Sequence, residues 1–177
     1  MCSYFGVYGG FLVIILGFDP GIAIVGFGVI NKEGHRIRPL QYGSIETKAG
    51  LDTGIRLKQI FDAAKEIIEA YQPDAVAIEK LFFNKNVTTA MTVGQARGVL
   101  MLSAVEYNLP IFEYTPLQIK QAIVGYGRAE KKQIQEMVKM YLNLTSVPKP
   151  DDVADALAIA ICHAHSAKLT SMIEGRN

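Results

Sequence analysis

The stretch Ile14-Ile15-Leu16-Gly17-Phe18-Asp19-Pro20-Gly21 (IILGFDPG) is an apolar run of the kind that fills the middle of a sheet, and it ends in a carboxylate. An ionised carboxylate left unpaired there is expensive, so something must meet Asp19. Asp-Pro-Gly is a turn signal. It joins a strand over Val13 to Phe18 to a second over Ile22 to Ile30, and Asn31-Lys32-Glu33-Gly34 turns the chain into a third near Gln41 to Glu46. The pattern is an antiparallel meander.

Beyond it the period changes. Leu57, Ile60, Phe61, Ala64, Ile67, Ile68 and Tyr71 recur at helical spacing, and Gln72-Pro73-Asp74 stops the helix. Ala75-Val76-Ala77-Ile78 then forms a short apolar strand that ends at Glu79, repeating the oddity of Asp19. A small-residue helix from about Thr88 to Tyr107 and a strand over Pro110 to Tyr114 follow. Further helices are expected over Pro116 to Ile123, Ala129 to Leu142 and, after Pro148-Lys149-Pro150, through Asp155 to His165. Five strands and these helices predict an α/β fold, a mixed five-stranded sheet flanked by helices.

At 177 residues with 50% hydrophobic content the chain suffices for one domain. Eighteen lysines and arginines oppose 17 acids for a net charge of +1, so no global positive field advertises a nucleic-acid partner and any such grip must be local. Cys2 and Cys162 cannot build a disulfide framework or a cysteine-rich zinc site, which fits a reducing, cytoplasmic setting. Residues 1–12 carry neither a basic leader nor a cleavage site, and no apolar window is long enough for a membrane span. They read as an extension of unknown role, with Val13 a candidate for the true initiator, before a domain over 13–167 and a tail over 168–177.

The third acidic source is Asp152-Val153-Ala154-Asp155, whose i, i+3 spacing puts two carboxylates on one helical face. Singly, Asp19 reads as a turn residue, Glu79 as a rim charge, and Asp151 and Asp152 as helix caps. Jointly, four acids from three segments can face one pocket, where they would repel one another unless hard divalent cations such as Mg²⁺ or Mn²⁺ took their oxygens.

The ordered blocks LGFDPG, GFGVI, AIEKLFFNKN, GQARGV, PIFEYTPLQIKQAIVG, AEKKQIQEMV and DDVADALAIAICHAH, from about Ile14 to His165, resemble the RuvC family of Holliday-junction resolvases in the ribonuclease H-like superfamily. The resemblance implies metal-binding catalytic acids at Asp19, Glu79, Asp152 and Asp155, with two Mg²⁺ (or Mn²⁺) per site. The family register selects Asp152 over Asp151, which is assigned to the cap although it shares a face with Asp155. The implied substrate is a four-way DNA junction, cut by paired symmetric nicks during recombination and repair, and the implied products are a 5′-phosphate and a 3′-hydroxyl.

Residues Leu117 to Asn143 hold the local positive charge: Lys120, Arg128, Lys131, Lys132 and Lys139 against Glu130 and Glu136, net +3. By resemblance Lys120 and Lys131 match basic residues near the scissile phosphate. Phe82 matches an aromatic that stacks on an unpaired base, with Lys85 among its polar neighbours. Arg97, on an apolar helix, is read as a paired structural residue; His163 and His165, two apart, are poor joint ligands and belong to core or helix surface. A two-fold junction favours a homodimer, and the resemblance places the contact on the helix carrying Thr89, Met91, Val93, Leu100 and Met101. RuvA and RuvB are partners implied by family. Competing readings are an RNA-processing nuclease on the same fold, a silent junction-binding module and, ranked lowest, a sugar-kinase-type phosphotransferase.

Overall fold

The computed structural model describes residues 12–80 and 87–165. The three-strand meander is β1 (Leu12–Asp19), β2 (Ile24–Glu33) and β3 (Arg36–Glu46), followed by α1 (Thr53–Tyr71), β4 (Ala75–Glu79), α2 (Val87–Glu106), β5 (Ile111–Tyr114), α3 (Pro116–Val124), α4 (Lys131–Tyr141) and α5 (Asp151–Ala164). One sheet results, in the order β3-β2-β1-β4-β5, with β4 and β5 joined in parallel to the antiparallel meander. The expected fold class is the observed one.

Strand alternation sorts the side chains between two cores. Leu16 and Phe18 of β1, Val25 and Val29 of β2, and Val76 and Ile78 of β4 pack with Ile60, Ala64 and Ile68 of α1 and Ala96, Leu100 and Ala104 of α2. Val13, Ile15, Ile30, Ala77 and Tyr114 face the other way, onto α5 with α3 and α4 behind it. Continuing the alternation by two from Ile15 and Ala77 carries Asp19 and Glu79 onto the α5 side.

Helix α5 lies unusually close to that face because β1 and β2 present glycine there. A Cβ at Gly17 would meet the carbonyl oxygen of Ala156 at 2.3 Å, and one at Gly28 would meet Leu157 Cδ2 at 2.6 Å. Eleven residues of α5 are buried, among them Leu157, Ile159 and Ile161, so its apolar surface fastens it to the sheet.

The boundaries moved in places. β3 begins at Arg36, not near Gln41, because β2 runs on to Glu33 and the turn needs only two residues, Gly34, at φ 58°, and His35. Arg36, Arg38 and Leu40 are exposed and alternate with half-buried Ile37 and Pro39, and a bulge opposite Val29 and Ile30 adds a residue that breaks this period before Gln41. α1 starts at Thr53 because the Asp52 carboxylate accepts the Gly54 N–H at 2.8 Å. Asp151 is not the cap of α5: Pro150 holds that position and Asp151 is the first helical residue. Strand β1 starts at Leu12, one residue before the expected domain start. Cys2, Phe82, Phe83, Lys85 and the tail over 168–177 lie outside the described residues.

Candidate active site

Asp19 closes β1 and Glu79 closes β4, adjacent parallel strands in which Phe18 pairs with Ile78. Both acids are therefore delivered at the same end of the sheet, where α/β folds gather functional groups. The Glu79 end is pinned twice: Lys80 N–H donates to the Tyr114 carbonyl at 2.8 Å, and Arg97 Nε donates to the Glu79 carbonyl at 3.2 Å. Arg97 also pairs with Glu113, so the buried cation is satisfied as expected of a structural residue.

The first turn of α5 brings the other acids to this end through Gly26. Gly26 pairs with Asp19 across β1 and β2, and a Cβ on it would lie 1.9 Å from the Asp152 carbonyl oxygen. Asp155 follows one turn later. Burial, then the charges of Asp155, Glu79 and Asp152, push the Asp19 carboxyl up to about 8, against the opposing pull of Lys131. Glu79 is raised by burial and then by Asp155. Asp155 is raised by burial, with Asp152 and Asp151 adding to it and Lys131 opposing. The four acids named from the sequence thus share one electrostatic field.

They are not yet gathered into a cage. Among the described residues no three His, Cys, Asp or Glu groups are arranged to hold an ion, and Lys131 Nζ instead sits 2.9 Å from Asp155 Oδ2. Glu79, Asp155, Lys120 and Lys131 line a common cleft of about 190 Å³, floored by Ile119, Ile134, Ala158 and Ile159. Arg128 and Lys132 are exposed and are not among the residues lining it. Asp151 turns outward to Lys149 at 2.7 Å.

His163 and His165 are not at the site. His163 is fully buried, its Nδ1 2.6 Å from the Tyr114 hydroxyl, and His165 sits edge-on to Tyr141. Cys162 is an inert core thiol, pushed up to about 12 by burial. What sequence reasoning missed is the role of Gly17, Gly26 and Gly28. The available signal was two glycines at strand spacing in GFGVI, which leave a helix-sized groove on one face.

The family model described as "Crossover junction endodeoxyribonuclease RuvC" matches residues 15–163. A protein of that name from Brevibacillus brevis is 65% identical over 161 residues, covering 91% of this chain and 97% of its own. One from Alkaliphilus oremlandii is 62% identical, covering 92% and 99%. The structure of Thermus thermophilus RuvC in complex with a Holliday junction substrate superposes with a TM-score of 0.84 at 35% identity, covering 90% of this chain and 97% of that one. The chain belongs to the RuvC family of crossover junction endodeoxyribonucleases.

Proposed function

We propose that this chain is a structure-specific endonuclease that resolves Holliday junctions by paired, symmetric, metal-dependent nicks in DNA. The observation that carries the reading is Asp19, a carboxylate at a buried strand end whose ionisation three other acids oppose. Such a donor set, all hard oxygen ligands with mutually disfavoured charges, fits a divalent cation and suits neither a hydrolytic serine nor a histidine base.

In this reading Asp19, Glu79, Asp152 and Asp155 hold two Mg²⁺ or Mn²⁺ ions. When bound, such ions supply Lewis acidity toward the attacking water and the leaving oxygen of a phosphodiester. The apolar floor at Ile119, Ile134 and Ile159 limits water around the carboxylates and keeps their fields strong. Lys120 and Lys131, on the same cleft, meet the phosphate and offset its developing charge. Arg128 and Lys132, farther out, add attraction to the backbone at longer range, and Phe82 and Lys85 are DNA contacts by family resemblance alone.

The partner chain is a second copy. On α2 the exposed positions Met91, Gln95, Gly98, Leu102 and Val105 repeat at alternating intervals of four and three, which aligns them in one stripe. Met91 is 62% exposed, and Leu102 and Val105 58% each, while a Cβ at Gly98 would meet nothing within 4 Å. This stripe replaces part of the surface expected from the sequence: Leu100 is fully buried in the core and Met101 half-buried, and the side chain of Thr89 lies outside the described residues. Leu102→Glu should yield monomers in sedimentation. Cytoplasmic location and contacts with RuvA and RuvB are part of the same reading; among the described residues no helix is long and apolar enough to cross a membrane.

The deciding experiment is incubation of the purified protein with a synthetic mobile four-way junction, with and without Mg²⁺, beside an RNA duplex of matched length. Metal-dependent conversion of the junction to nicked duplexes is expected. Cleavage of the RNA alone would move the assignment to RNA processing, and binding without any cleavage would leave a junction-binding module.

A further inference from the structure

Lys131, at the start of α4, reaches across to α5 and places its ammonium between two carboxylates, 2.9 Å from Asp155 Oδ2 and 3.6 Å from Asp151 Oδ2. Asp151 and Asp155 stand four residues apart, so one face of the helix offers the lysine two alternative partners. They differ in surroundings. Asp155 faces the cleft with Glu79, its side chain 30% exposed, whereas Asp151 is 43% exposed, held at Oδ1 by Lys149, and outside the cleft lining. Lys131 itself is 54% exposed, and its ammonium already lies within ion-pair distance of both carboxylates.

The proposed function asks two things of this pair that conflict. Asp155 is to give its oxygens to a divalent cation, and Lys131 is to meet a phosphate, yet each now occupies the other. A dication at Asp155 would also repel an ammonium so near.

We propose that Lys131 serves as the chain's own counter-cation for Asp155, and that Asp151 is a positioning residue that retains Lys131 at the rim of the cleft once a divalent ion takes Asp155. This rests on the reading of Asp155 as a metal ligand. The handover involves no bond making. It moves a positive charge from the acid pocket to its mouth, where a phosphate would arrive, and keeps it within reach of the reaction. Asp151 thereby acquires a task that neither a helix cap nor a fifth metal ligand would give it.

The test is a double-mutant cycle on Mn²⁺ binding, read by calorimetry on the full chain without DNA, using Asp151→Asn, Lys131→Met and the double variant. Asp151→Asn should weaken Mn²⁺ binding about twofold to fivefold, the range of an exposed ion pair, and should have no effect in the Lys131→Met background. An equal factor in both backgrounds would mean that Asp151 acts only through its charge, and the proposal would fall. A second readout is the ¹⁵N signal of the Lys131 ammonium. It should shift when Mg²⁺ is added to the chelator-treated wild type and should broaden into solvent exchange in Asp151→Asn. A signal unmoved by Mg²⁺ that demonstrably binds would overturn the handover while leaving the metal site standing; binding indifferent to Asp155→Asn would overturn the metal site, and the handover with it.

Discussion

Gly26 touches Asp152 backbone to backbone: a Cβ at Gly26 would lie 1.9 Å from the Asp152 carbonyl oxygen, closer than any methyl can approach. The obstacle is helix backbone, so a larger residue must push the first turn of α5 away from β2. That turn carries Asp152 and Asp155, and Gly26 pairs across the sheet with Asp19. Gly26→Ala should therefore separate the acids of α5 from that of β1 while most of the α5 core, centred on Leu157 and Ile161, remains. A displacement near 1 Å at a catalytic group lowers rates about 100-fold. Junction cleavage by Gly26→Ala should fall at least that far, with helical content by circular dichroism close to wild type. A fully active variant would mean that α5 yields without cost and that the close approach is incidental.

That contact also marks where the sequence was legible and where it was not. Asp19 and Glu79 stood out because each interrupts an apolar strand, and the period of two then fixes the face they share with Ile15 and Ala77. Asp152 and Asp155 stood out because their i, i+3 spacing puts both carboxylates on one face of a helix whose opposite face is core-like. Gly26 carried a fainter mark, its spacing of two from Gly28, and a glycine in a strand reads as weak propensity until the helix that fills its missing side chain is known. The start of β3 was hidden for a related reason: Arg36 to Leu40 alternate between exposed and half-buried, but a proline inside the run argues against a strand and the bulge opposite Val29 and Ile30 then shifts the period. Pairings such as Lys131 with Asp155 or Tyr114 with His163 join segments far apart in sequence, and only the docking of α5 creates them.

Asp19 should make the protein sensitive to alkali when no divalent ion is present. Its folded value of about 8 lies above the unfolded value of 3.8, so the folded state holds the proton more tightly. The resulting stability is complete below about pH 4 and is lost as the pH rises through 8. In chelator, the melting temperature should fall across that window, Mg²⁺ should restore it, and Asp19→Asn should flatten the dependence. The same variant should bind the junction yet leave it uncut. Residual nicking at the wild-type rate would remove Asp19 from the chemistry.

Arg97 should matter to both stability and turnover. Its guanidinium is paired with Glu113 and its Nε holds the Glu79 carbonyl, so one planar group ties α2 to the ends of β4 and β5. Burial holds its pKa below the usual arginine value, so the pairing is what keeps the charge acceptable. Arg97→Met should reduce unfolding free energy by about 1–3 kcal/mol, the worth of hydrogen bonds to a charged group. Arg97→Lys should recover little, because a single ammonium cannot address both partners in the geometry of a fork. Urea titrations of the three proteins check the first point, and a lowered kcat with unchanged junction affinity checks the hold on Glu79.

His163 should set the acid limit of stability. Its ring is fully buried on α5, stacked at a tilt 4.2 Å from the Phe112 ring and bonded through Nδ1 to the Tyr114 hydroxyl, and Nε2 has no hydrogen-bond partner among the described residues. Burial, with Lys32 adding to it, lowers its pKa from 6.5 to about 4. A folded value below the unfolded one means that the unfolded chain takes the proton first. This contribution is whole above pH 6.5 and is lost as the pH falls through 4, the opposite sense to Asp19. His163→Phe removes the proton acceptor and the bond to Tyr114, which should lower stability at pH 7 by about 1 kcal/mol. It should also abolish this residue's share of the acid sensitivity, so the wild-type and variant curves should converge between pH 6.5 and 4. Parallel curves across that range would show that His163 takes up no proton on unfolding and that the buried ring is already charged.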